Sequence, residues 1–262
     1  MEFFHAINPL YVLSGFFVGA LVGFTGVGGG SLMTPLLVLL FGIHPATAVG
    51  TDLLYAGLTK SGGTLVHSIH RTVDWRITGR LATGSIPATI LTLVGLAYFG
   101  KESEGTSHVL TVVLGIALIL TAVTLLFRRW LLSYLASYAD RLSARQTRNL
   151  TVILGAAIGV LVSLSSVGAG AIGVTVLLIL YPKMPVARLV GSDITHAVPL
   201  TLVAGAGHWY LGSVDWQLLT SLLVGSLPGI AIGSHFAARV PDRVLRPILA
   251  STLAIVGGKL AF

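Results

Sequence analysis

Six apolar runs, each about as long as a bilayer is thick, dominate this chain. They are Thr47–His67, Thr78–Phe99, Val109–Phe127, Arg188–Gly207, Leu218–Ala238 and Val244–Phe262, and a helix needs ~20 such residues to cross. Hydrophobic types make up 54% of the 262 residues and charged types only 10%. A soluble fold of this length still exposes roughly a quarter of its unfolded-state surface, so it could not hide that much apolar area. A soluble enzyme, a disordered regulator and a secreted disulfide scaffold are therefore excluded. The expectation is an all-α polytopic membrane protein with a single transmembrane domain over residues 1–262. The stretch Met1–Leu13 lacks a basic n-region and is expected to remain in the mature protein.

Two further regions are interrupted by glycine. Leu10–Thr25 runs into Gly26-Val27-Gly28-Gly29-Gly30 and then the short run Ser31–Phe41, and Thr151–Ser165 runs into Gly168-Ala169-Gly170 and then Ala171–Tyr181. Two short helices around such a break predict a re-entrant hairpin or a broken helix, which is tolerated only where protein or a water-filled cavity surrounds it.

The chain repeats itself. Asp74-Trp75 recurs as Asp215-Trp216, Gly84-Ser85 as Gly225-Ser226, Gly50-Thr51-Asp52 as Gly191-Ser192-Asp193, and His67 as His208, all 141 residues apart. The glycine breaks match at an offset of 140. Repeat 1 covers about residues 8–127, a polar linker 128–150, and repeat 2 about 151–262. Each repeat holds a glycine-broken helix pair plus three full spans.

Cytoplasmic loops collect Lys and Arg. Ser68–Arg80, Arg128–Arg148, Lys183–Arg188 and Arg239–Arg246 hold 13 of the 16 basic residues. Placing all four inside requires both termini outside and the second repeat inverted, a symmetry common in secondary transporters. The net charge of +7 lies in short gaps between apolar runs rather than on one solvated face. It suits a surface of anionic membrane lipids, not nucleic acid.

A broken helix exposes backbone N–H groups where the next helix starts, and that end carries partial positive charge suited to anions. Gly28, Gly29, Gly30 and Ser31 in the first break, and Gly168, Ala169, Gly170 and Ala171 in the second, are therefore expected to bind substrate, with Thr51 and Ser192 beside them. The stripes Gly15, Gly19, Gly23 and Gly225, Gly229, Gly233 are assigned to close helix packing. Asp52 and Asp193 are the only carboxylates within the apolar runs. An intramembrane acid is costly and by default functional, here as a proton-coupling group; the competing reading is a buried helix N-cap. Lys60 has Thr201 as its repeat counterpart, and either partners an anion or snorkels to the surface. His67 and His208, at matching helix ends, are candidates for proton relay. No clustered metal ligands appear, cysteine is absent, and no cofactor is expected.

The stretch GALVGFTGVGGGSLMTP at Gly19–Pro35, followed by AVGTD at Ala48–Asp52 and GSD at Gly191–Asp193, resembles the sulfite exporter TauE/SafE family, also called the toluene sulfonate uptake permeases. The resemblance covers nearly the whole chain, with Ala169 standing where the first break has Gly29. It implies a multi-pass transporter in the plasma membrane of a prokaryote, moving sulfite, sulfonates, sulfoacetate or a related carboxylate anion. Protons are the expected coupling ion, and the protein is expected as a monomer or homodimer. The competing readings are an anion channel of the same architecture, the membrane subunit of a larger transport complex and an intramembrane enzyme. No P-loop, G-x-S-x-G or H-E-x-x-H pattern occurs, which argues against ATP hydrolysis by this chain and against an enzyme.

Overall fold

The computed structural model describes residues 7–25, 30–69, 71–99, 104–139, 142–236 and 242–261. Among them it contains ten helices and no strand. They are α1 (Pro9–Thr25), α2 (Gly30–Leu39), α3 (Pro45–Ile69), α4 (Trp75–Phe99), α5 (Glu104–Ala139), α6 (Ala144–Ser165), α7 (Ala171–Leu180), α8 (Val186–Tyr210), α9 (Trp216–Phe236) and α10 (Asp242–Ala261). The six long apolar runs are helical over their described residues.

Two boundaries differ from expectation. α5 does not stop at Phe127 but runs on to Ala139, 36 residues in all, so the polar linker is largely helix. Its aromatic residues pair along the helix surface: Trp130 and Tyr134 stack with ring centroids 5.3 Å apart, an i,i+4 contact that favours the helical form. α6 begins at Ala144, where Ser143 and Gln146 form a reciprocal capping box that satisfies two otherwise orphaned N–H groups. At 22 residues α6 is long enough to cross alone, as are α4, α5, α8 and α9. The 25 residues of α3 do not reach the same hydropathy, because Asp52, Lys60 and several threonines, serines and glycines dilute its apolar face.

Close glycine contacts show how the helices run. A methyl group on Gly15 would meet the Leu222 carbonyl and one on Gly229 the Phe16 carbonyl, so α1 and α9 lie side by side in the same sense. The same contacts recur between α6 and α4: Gly155 abuts the Leu81 carbonyl and Gly84 the Val152 carbonyl. Only glycine allows backbones this near, because any Cβ would overlap the facing chain. Gly15 and Gly19 of α1 and Gly225, Gly229 and Gly233 of α9 thus pack against facing backbone, as the spacing predicts. α3 crosses α8 in the opposite sense, with Gly50 against His208, Gly57 against Leu202 and Gly191 against His67. α5 and α10 are likewise opposed, through Gly115 and Gly257.

α8 runs with α4, since Thr78 bonds the Ser192 carbonyl and Ser85 bonds His196. α6 also runs with α4, so α6 and α8 share one direction and α7 between them has to bring the chain back. Ten residues of α7 reach about 15 Å, half the ~30 Å hydrocarbon core. The turn between α6 and α7 therefore lies deep inside the bundle. It packs under a buried cluster of Leu53, Ile77, Leu81, Ile158 and Leu177.

The repeated Asp-Trp pairs begin α4 and α9. Asp74 Oδ1 accepts from the N–H groups of Arg76 and Ile77, and Asp215 Oδ1 from that of Leu218. These are N-caps, and the adjoining Trp75 and Trp216 side chains are exposed, as suits aromatic residues at a membrane interface.

Candidate functional site

Asp52 and Asp193 are both fully buried. The helices that carry them start at Pro45 and Val186, about two turns earlier, which overturns the N-cap reading. Each acid instead meets a break region. The Thr34 hydroxyl on α2 donates to Asp52 Oδ2 at 2.5 Å. Asp52 Oδ1 has no partner, and the buried Ser166 hydroxyl beside this carboxylate has none either. On the other side, the Gly170 N–H is directed at the Asp193 carboxylate. Asp193 Oδ1 is unpartnered and presses against Gly173, where even a methyl group would overlap it.

The second break is built from uncommon backbone. Ser166 closes α6 in the left-handed region at φ 58°, while Gly168 and Gly170 both sit at φ 113°, a conformation that glycine adopts readily and other residues do not. Gly170 precedes α7 without any side-chain cap, so the first-turn N–H groups are available to an external acceptor. Ala169 is partly buried against the Leu53–Ile158 cluster, and Ala171 is buried.

Lys60, on α3, lies within electrostatic reach of both Asp193 and Asp52. It is only partly buried, and among the described residues no direct ion pair joins it to either acid. His196, three residues after Asp193 on the same helix face, also feels the Lys60 charge. Its Nε2 pairs with the Ser85 hydroxyl at 2.8 Å, while Nδ1 has no partner. The repeat partner of His196 is Tyr55, which is buried beside Ser226, the counterpart of Ser85. Buried polar atoms are rarely left unpaired. Among the described residues such atoms occur on Asp52, Asp193, Ser166 and His196, and also on Tyr55, Thr64, Thr195 and His208; Ser166 closes α6 at the break, and Asp52, Asp193 and His196 all feel the Lys60 charge.

Other expected site residues lie elsewhere. Ser192 Oγ accepts from the Asp74 N–H at 2.8 Å, and Thr51 Oγ1 accepts from the Asp215 N–H at 3.0 Å, so both hydroxyls fasten the turns before α4 and α9. His67 Nδ1 pairs with the Thr72 hydroxyl, and His208 Nε2 with the Ser163 carbonyl. His67 lies beside Gly191 and His208 beside Gly50, each two residues before an acid, and His208 Nδ1 has no partner. Gly30 opens α2, as does Ser31, whose side chain is not among the described atoms. Gly28 and Gly29 lie outside the described residues.

Thr34, Ser85, Ser166 and His196 were not anticipated. The i+3 spacing from Asp193 puts His196 on the face of that acid, and Ser85 belongs to a repeated motif; Thr34 and Ser166 carry no comparable signal.

Comparison with known proteins finds similarity to a transporter family along nearly the whole chain. The family model described as "Sulfite exporter TauE/SafE" matches residues 11–260. The chain is 39% identical over 250 residues to "Probable membrane transporter protein YjnA" of Bacillus subtilis (strain 168), covering 95% of this chain and 98% of that protein. It is 31% identical to "Probable membrane transporter protein YdhB" of the same organism, over 97% of this chain and 100% of that one. "Probable membrane transporter protein MJ0441" of Methanocaldococcus jannaschii is 27% identical, over 98% of this chain and 97% of its own length. No solved structure matches.

Proposed function

This chain belongs to the sulfite exporter TauE/SafE family, and from that premise we propose that it is a secondary transporter for a small sulfur-containing or carboxylate anion in the plasma membrane of a prokaryote, coupled to protons. The observation that carries the reading is the α6–α7 break, flanked by Asp52 and Asp193, with Lys60 in electrostatic reach of both acids. The free N–H groups of the break and the lysine attract the anion. Two buried carboxylates next to it would repel it unless protonated, so anion entry and proton uptake are linked by charge. A sulfite, sulfonate or sulfoacetate group has the oxygens to accept from several N–H donors at once.

We read the halves as inverted repeats. α3 and α8 are repeat counterparts, as are α5 and α10, and each pair runs antiparallel. Opposed copies of one helix support a twofold axis across the helices, in the membrane plane. That symmetry provides two equivalent gates around one central site, with the basic segments on the cytoplasmic side.

Thermal stabilisation of the purified protein by sulfite, sulfonates, sulfoacetate and simple carboxylates tests the substrate class. A sulfur oxyanion or a carboxylate should stabilise the wild type and have less effect on Lys60→Met. A panel without effect on either protein would remove the reading.

A further inference from the structure

A basic cavity lies at the opposite end of α7 from the central break. A cavity of about 530 Å³ opens between the start of α6, the α7–α8 turn and α4, lined by Arg80, Thr147, Tyr181, Lys183 and Arg188 among others. Arg80 Nη1 donates to the Tyr181 hydroxyl at 3.1 Å, and that hydroxyl pairs at 2.8 Å with Thr151, which is fully buried. Arg188 reaches Asp74 at 3.6 Å, so one carboxylate offsets one of three cations.

Repeat symmetry separates design from architecture here. Tyr181 corresponds to Phe41, Thr151 to Tyr11, Lys183 to Ile43 and Arg80 to Ser221 at the offsets of 140 and 141. In the first half the equivalent pair is the edge-on contact of Tyr11 with Phe41, ring centroids 5.0 Å apart. The fold therefore does not need a polar chain at this position, and one half alone carries it. A general bias of loops toward positive charge explains Lys183. It does not explain an arginine held in place by a tyrosine that is itself fixed to a buried threonine.

We propose that this cavity is a binding site for a phosphate- or sulfate-type oxyanion, free in solution or borne by a lipid headgroup, with Arg80 and Lys183 as its cationic donors. Arginine offers a planar fork matched to such oxygens, and lysine a mobile point charge. Basic pockets between helices at a membrane surface accept phospholipid headgroups by the same contacts. The uncapped start of α8, where Pro185 provides no side-chain hydrogen bond, adds the positive end of that helix.

The test uses the purified full-length chain and two probes. Inorganic phosphate is titrated in detergent against matched chloride, and phosphatidylglycerol is offered in nanodiscs of phosphatidylcholine, with native mass spectrometry reading retained lipid. Binding of either probe is expected, weakened roughly tenfold to a hundredfold in Arg80→Gln or Lys183→Gln. Response to phosphate alone identifies a free anion, and response to phosphatidylglycerol alone a headgroup. Lys183 is exposed, so Lys183→Gln leaves the fold intact. If neither probe binds, or if both variants bind as the wild type does, the proposal is overturned.

Discussion

Gly173→Ala should disable proton-coupled transport while leaving the bundle assembled. The added Cβ would overlap Asp193 Oδ1 and stand 3.3 Å from both Asp193 Cγ and Ile158 Cδ1. Those neighbours are buried and cannot both yield, so about 1–3 kcal/mol of overpacking is expected. The cheapest relief is rotation of the Asp193 carboxylate away from the Gly170 N–H. A cost of that size alters the occupancy of the native carboxylate position by about fivefold or more. Gly79→Ala is the control: it lies in α4 with nothing within 4 Å of an added Cβ, and a mid-helix alanine should be neutral or stabilising. Uptake into proteoliposomes under an imposed pH gradient and thermal unfolding in detergent are measured side by side. Gly79→Ala should match the wild type in both. If Gly173→Ala also transports normally with normal stability, the close fit between α7 and Asp193 is irrelevant to the mechanism.

Asp52→Asn and Asp193→Asn should each lose uptake driven by a pH gradient yet retain part of the anion binding, read by thermal stabilisation. Lys60→Met should weaken anion binding by about 1.5–3 kcal/mol, as for loss of a charge-assisted partner; unchanged binding would mean that the lysine serves the surface. Gly15→Val and Gly155→Val should destabilise the protein to similar extents, because each forces apart an equivalent helix pair at about 1–3 kcal/mol or more.

Most of the helical scaffold was legible in the sequence because bilayer-length apolar runs have few alternatives to a helix. α3, α4, α8 and α9 begin and end within a few residues of the runs that announced them. The helical course of Arg128–Ala139 was hidden because its charges read as a loop, although its Trp130–Tyr134 spacing fits a helix. Asp52, Asp193 and Lys60 stood out since an ionisable group in an apolar run carries an energetic cost. Their partners did not: Thr34 reaches Asp52 from another helix, and Ser166 gains its place from a left-handed backbone that no residue type announces. Thr51 and Ser192 looked like site residues because they adjoin the acids. On a helix, however, neighbouring residues point about 100° apart, and both hydroxyls face the turns before α9 and α4.

The central claim is saturable, proton-linked movement of a small anion through a site between Asp52 and Asp193. Purified protein in liposomes, preloaded with unlabelled sulfite or sulfoacetate and diluted into labelled anion, tests it by counterflow. Transient accumulation of label above equilibrium is expected, saturating with concentration and abolished in the Asp52→Asn, Asp193→Asn double variant. Linear, non-saturating flux without counterflow, unchanged in that variant, would contradict it.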